Sequence, residues 1–198
     1  MNNLKQEIAA VAARMVVEEG LEFGAAKRRA LKQMGLPPRT PLPDNDQIER
    51  EVTDYVAIFC AETQPVELRA LRELALEWMR RLESFRPHIA GAVWRGTATR
   101  NSDIYLQLFC DDTKSAEITL IDMKISYETR TVTGFRGDGV DALSVHAYCK
   151  PIDAHVGLHL LIHDFDDLRG ALRADSGGRR QRGDIASLSG LLHDGAHD

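Results

Sequence analysis

The chain has 198 residues, a formal net charge of −5 and a pI near 5.8, with 43% hydrophobic and 28% charged residues. That balance suits a soluble globular chain of one domain, or one domain with an extension, and excludes general nucleic-acid binding, which needs a concentrated basic face. No apolar run approaches a membrane span, so no membrane partner is expected.

The first 88 residues carry helical patterning. Ile8, Val11, Ala12, Met15 and Val16 repeat at helical spacing up to Gly20, a helix stop. A second helix is predicted from Phe23 to Met34, with a basic stripe of Lys27, Arg28, Arg29 and Lys32 that fits a solvated face or an anionic partner, RNA or acidic protein. "GLPPRTPLPDND" holds four prolines and reads as a stiff connector. Asp44 or Asn45 can cap a third helix with Ile48, Val52, Tyr55, Val56 and Phe59 inward. Pro65 sits near the start of a fourth, whose stripe is Leu71, Leu74, Ala75, Trp78, Met79 and Leu82, and Pro87 closes this part.

From Ile89 the period changes to two. Strands are predicted at Ile89–Val93, Ile104–Cys110, Ala116–Glu128, Thr131–Phe135, Val140–Cys149 and Val156–Asp164, with Asp111-Asp112 as a hairpin turn. A short helix follows at Asp166–Arg173, where Asp164, Asp166 and Asp167 favour its N-terminus. "RADSGGRRQRGD", Arg173 to Asp184, reads as a mobile loop whose Arg179, Arg180 and Arg182 could clamp phosphate. A last helix is expected over Ile185–Leu192. The fold class is therefore α+β, a helical region followed by a mixed, mostly antiparallel sheet. The expected divisions are 1–63 helical, 64–173 sheet domain, and 174–198 loop and short helix. Met1 to Lys5 shows no apolar signal core, and the widely spaced Cys60, Cys110 and Cys149 suit reduced thiols, so a cytoplasmic location is expected.

The chemistry concentrates in "GAVWRGTATRNSDIYL". Gly91 lies in the strand predicted at Ile89–Val93, Arg95-Gly96 and Ala98 follow, and Ser102-Asp103-Ile104 opens the next strand. A glycine at a strand end lets backbone N–H groups approach phosphate. Two carboxylates two residues apart on a strand share a face and can hold Mg²⁺ ions.

Over Leu74 to Phe109 the chain resembles the nucleotidyltransferase fold shared by the polymerase-beta-like, minimal and aminoglycoside nucleotidyltransferases. Their signature runs Gly-Ser, Arg-Gly, Ala, then Ser-Asp-hydrophobic-Asp, and here the spacing from Gly91 to Asp103 matches without a gap. The resemblance implies phosphate-binding roles for Gly91, Ala92, Arg95, Gly96 and Ser102, a metal and catalytic role for Asp103, and Mg²⁺ as cofactor. The chain departs at Ala92, where the family has Ser, and at Tyr105, where it has the second Asp; a phenol is a poor Mg²⁺ ligand at neutral pH. In the family a third carboxylate often lies on a later strand. The best-placed strand here, "HVGLHLLIHD", offers Gly157 and His159, with Asp122 and Glu117 as alternative acids. The leading expectation is a degenerate nucleotidyltransferase-like domain that binds a nucleotide or small phosphate compound at the Gly91–Asp103 turn, with Tyr105 stacking on the ligand or filling the metal cavity. The rivals are an active Mg²⁺-dependent transferase using Asp103 with Asp122 or Glu117, and an interaction module acting through the basic second helix. The whole chain also resembles uncharacterised bacterial proteins sometimes labelled UDP-N-acetylmuramate–alanine ligase. No Gly-Lys-Ser/Thr occurs to support that label.

His155, His159 and His163 share one face of their strand, with adjacent members about 13 Å apart, too far for one ion. They are expected to be ordinary satisfied or exposed histidines. Trp94 is expected to pack on the fourth helix.

Overall fold

The computed structural model describes residues 2–134, 137–171, 178 and 180–194. Three helices open the chain: α1 (Asn2–Glu19), α2 (Phe23–Gln33) and α3 (Asn45–Phe59). Gly20 ends α1 at φ +68, in the left-handed region that glycine enters without a Cβ penalty. Asp44 caps α3 in a reciprocal capping box with Gln47, at 2.7 and 2.9 Å. Ile8, Ala12, Met15, Ala26, Ala30, Ile48 and Val52 form a core of their own between these helices.

The second core lies on one face of a six-stranded sheet ordered β3-β4-β5-β2-β1-β6. Its strands are β1 (His88–Ala90), β2 (Ile104–Cys110), β3 (Glu128–Thr133), β4 (Gly139–Cys149), β5 (Ala154–Asp164) and β6 (Arg182–Gly183). All neighbours run antiparallel except β2 and β5, which are parallel. The helices α4 (Gln64–Arg81), α6 (Lys114–Asp122) and α8 (Ile185–Asp194) contribute Leu71, Ala75, Met79, Ala116, Leu120 and Leu188 to this core, against Leu106, Leu108, Leu143, Val145, Leu158 and Leu160. The sheet therefore has a core face, occupied by alternate strand residues, and an opposite face carrying Tyr105, Gln107, Phe109, Ser144, His159 and His163. The α+β class with a mixed, mostly antiparallel sheet is what the sequence pattern predicts.

Five local expectations change. The strand at Ile89–Val93 stops at Ala90, because Gly91 takes φ +75 and starts a short helix, α5 (Gly91–Arg95). The strand expected at Ala116–Glu128 is instead the helix α6, followed by a turn at Lys124 with φ +57. Asp112 accepts from Lys114 N at 2.9 Å and turns the chain from β2 into α6, so Asp111-Asp112 is not a hairpin. Arg182–Gly183, expected within a mobile loop, is β6 and pairs with β1; Arg173 and Arg179 lie outside the described residues. The helix after β5 is a 3₁₀ turn, Phe165–Asp167, leading into α7 (Leu168–Ala171), and Asp164 caps it through Asp166 N at 3.0 Å.

Candidate functional site

Parallel pairing of β2 with β5 puts Ile104 beside Leu158 and Tyr105 beside His159. Asp103, one residue before β2, therefore meets Gly157 and His159 on the face away from the core. Its carboxylate accepts from Gly157 N at 3.2 Å and from His159 Nε2 at 3.0 Å. A Cβ on Gly157 would lie 2.5 Å from Asp103 Oδ1, so any larger residue there displaces the carboxylate. Ser144 on β4, directly opposite His159, meets its Nδ1 at 2.9 Å, and Arg130 Nε donates to Ser144 Oγ at 3.2 Å. With neutral His159, one tautomer completes the row: Arg130 donates to Ser144, Ser144 to Nδ1, and Nε2–H to Asp103.

Tyr105 closes the other side. Its ring lies 4.9 Å from that of His159, and its hydroxyl donates to the carboxylate of Glu22, the residue that enters α2. Burial, then the negative charge and hydrogen bond of Glu22, push the phenol well above its ordinary range, so it stays protonated and neutral. Gly91 packs against the same ring. The phenol thus ties the sheet to the helical bundle.

The segment from Gly91 to Ser102 is tied down on all sides. Gln64 Nε2 donates to the carbonyls of Gly96 and Ala98, both at 2.9 Å, and Arg72 donates to those of Val93 and Trp94. The amides of Gly96 and Thr97 go to Ala92 O, that of Arg100 to Glu67, and that of Ser102 to Thr99 O. Ser102 Oγ accepts from Thr99 N at 3.0 Å. Thr99 and Asn101 reach Val17 and Glu18 at the end of α1. Arg95 pairs with Glu49 of α3 at 3.0 Å and lies over the Phe23 ring. Gly96 takes φ +90 and ends α5. Of the residues to which the resemblance gives phosphate roles, Arg95 reaches the helical bundle, Gly96 is tied to α4 through Gln64, and Ser102 closes a turn with Thr99.

Glu117 and Asp122 stand on α6, which packs on the core face through Ala116 and Leu120, across the sheet from Asp103. Glu117 pairs with Lys114 at 2.9 Å. Among the described residues no group of three or more His, Cys, Asp or Glu could hold a metal ion. The site therefore does not fit a resident pair of Mg²⁺ ions, each of which needs an oxygen-rich octahedron. Asp103 is still 43% exposed, and each of its oxygens keeps a lone pair.

The basic stripe of α2 also divides. Lys27 is buried, donates to Asn45 Oδ1 at 2.8 Å, and burial lowers its pKa; Arg29 pairs with Glu19 at 2.6 Å. Arg28 and Lys32 remain on the outer surface. Trp94 donates to Arg180 O at 2.8 Å, lays its ring on Gly183 and packs against the core to which α4 contributes. Arg182 Nε meets Gln107 and is held within the sheet. His163 stacks on Phe109 and His88 meets the same ring edge-on, both with centroids at 5.5 Å. Among the described residues no helix is long and apolar enough to cross a membrane.

No family model matches the chain, and no curated protein matches it. Solved structures that match include the Cid1 poly(U) polymerase with MgGTP bound, at 14% identity over 48% of this chain and 32% of that one, with a TM-score of 0.35. Cid1 in complex with the UTP analog UMPNPP matches at 16% identity over 56% of this chain and 36% of that one, TM-score 0.35. A cytoplasmic RNA terminal U-transferase matches at 20% identity over 58% and 36%, TM-score 0.35. The chain spans about a third of the length of these structures.

Proposed function

We propose that this chain is a nucleotidyltransferase-like domain that binds a nucleotide or another phosphate compound between the Gly91–Asp103 segment and His159, without two-metal transfer. One observation carries this reading. Asp103 stands where the signature has its first acid, and its neighbours are Tyr105, Gly157 and His159, none of them a carboxylate. Two Mg²⁺ ions need oxygen ligands from more than one protein carboxylate, and the other acid at this site, Glu22, is engaged by the Tyr105 hydroxyl. The outward lone pairs of Asp103 can still touch one Mg²⁺ carried in on a triphosphate, and Arg130 supplies positive charge at the far end of the same row. The helical segments 1–63 serve this site by supplying Glu22 to Tyr105.

Calorimetric titration with MgATP, MgGTP and MgCTP, paired with thermal shift, tests the proposal. Binding at millimolar concentration or tighter is expected for one of them, with Asp103→Ala weakening it about tenfold through loss of a charged ligand contact. No heat and no shift at millimolar nucleotide would overturn it, as would binding that Asp103→Ala leaves unchanged.

A further inference from the structure

β3 is an edge of the sheet. Among the described residues it pairs only with β4, and Glu128, Thr129, Arg130, Thr131 and Thr133 are exposed. Its outer side presents a backbone amide and carbonyl at every second residue. Such edges are commonly blunted by proline, lysine, a bulge or a very short strand. Glu128–Thr133 runs six residues and contains neither proline nor lysine, and its pairing with β4 proceeds without a bulge. Instead it carries one acid and one base, Glu128 and Arg130, on the same face.

We propose that β3 pairs with β3 of a second copy of this chain, antiparallel and centred on Thr129, joining two sheets into one. The register follows from symmetry and charge. A two-fold axis that relates side-by-side antiparallel strands must stand normal to the sheet, so each face continues as itself. Opposed residues then share parity, and the axis passes through a residue rather than between two. Centring on Glu128 sets Glu128 against its own copy, and centring on Arg130 sets Arg130 against its own copy; like charges directly opposite destabilise a pair. Centring on Thr131 sets Arg130 against Val132. Centring on Thr129 sets Glu128 against Arg130 twice, and on the other face it sets Tyr127 against Thr131, an aromatic–β-branched pair. Ile125 and Tyr127 already pack on the sheet core, which holds the chain before β3 in place for this extension. Charge complementarity thus selects one occupant, this same strand, and one register.

Sedimentation velocity on the full chain over about 10–200 µM tests it, the range in which a small edge-to-edge interface is expected to associate. Wild type should be a concentration-dependent dimer. E128R sets two positive charges against each other at both pairs and R130E two negative ones, and each should weaken self-association about tenfold or more. Mixing the two variants should restore a heterodimer, and the doubly swapped E128R/R130E should dimerise again. E128R is the decisive single variant, because Arg130 also bonds Ser144 whereas Glu128 lies outside that row. A wild type that stays monomeric across this range would overturn the proposal. So would a dimer that E128R leaves unweakened, or a mixture that fails to associate.

Discussion

Gly157→Ala probes the row through Asp103 with one methyl group. The added Cβ would sit 2.5 Å from Asp103 Oδ1, well inside van der Waals contact, so the carboxylate must turn away. Turning away costs the bonds from Gly157 N and His159 Nε2. Hydrogen bonds to a charged partner contribute about 1.5–3 kcal/mol each when buried, and with Asp103 side chain 43% exposed to competing water about 1 kcal/mol each is a better figure. Gly157 has an ordinary backbone conformation, so alanine also stabilises by about 0.4–1 kcal/mol through the unfolded chain. The net expectation is a loss of about 1–2 kcal/mol. In an Asp103→Ala background the clash is gone, and the same glycine change should be neutral or stabilising by up to about 1 kcal/mol. Urea unfolding followed by circular dichroism on the four proteins of this cycle gives the coupling, expected at about 2 kcal/mol. Additivity within about 0.5 kcal/mol would refute the claim that Gly157 exists to seat Asp103.

Three further perturbations read other parts of the fold. Burial lowers the pKa of both His88 and His163. Their unfolded forms then bind more protons below about pH 6.5, so stability is full above that pH and falls as pH drops toward the depressed folded values. Thermal melts between about pH 7 and pH 5 should show a loss of up to about 1.4 kcal/mol per pH unit for each histidine, flattened by His88→Gln. Gly183→Ala drives a methyl group into the Trp94 ring and should cost about 1–3 kcal/mol, with a red shift in tryptophan emission as the ring leaves its site. Gln64→Ala strips the carbonyls of Gly96 and Ala98 of their shared donor in a buried setting and should cost about 2–3 kcal/mol, read from the denaturation midpoint at unchanged slope.

The helix ends were legible because each carries its own chemistry: Gly20 at a left-handed stop, Asp44 in a capping box, Pro65 in a first turn. The segment after Asp112 misled because Ile118, Thr119 and Ile121 imitate a strand by their branching. Its helical signal was the pair Ala116 and Leu120, four apart and fully buried, while both isoleucines face outward. Gly157 and His159 could be placed beside Asp103 only through the family resemblance, which puts a later strand next to the one Asp103 opens. Ser144 and Arg130 could not, since they join through the register of β4 with β3 and β5, which no local pattern encodes. Glu22 was hidden for another reason: its role depends on how α2 docks on the sheet. The structural bonds of this segment were equally illegible: Arg95 reaches Glu49 on α3 and Gln64 on α4 holds the Gly96 carbonyl, both across long sequence separations.

Asp103 accepts hydrogen bonds from Gly157 and His159, and on the proposed reading it does not share a pair of divalent ions with other acids. Crystals soaked with Mn²⁺ and a nucleoside triphosphate, read by anomalous difference density, test this most directly. At most one Mn²⁺, riding on the ligand's phosphates, is expected near Asp103 with His159 still hydrogen-bonded to it. Two peaks about 3.5–4 Å apart, both ligated by Asp103, would contradict the claim.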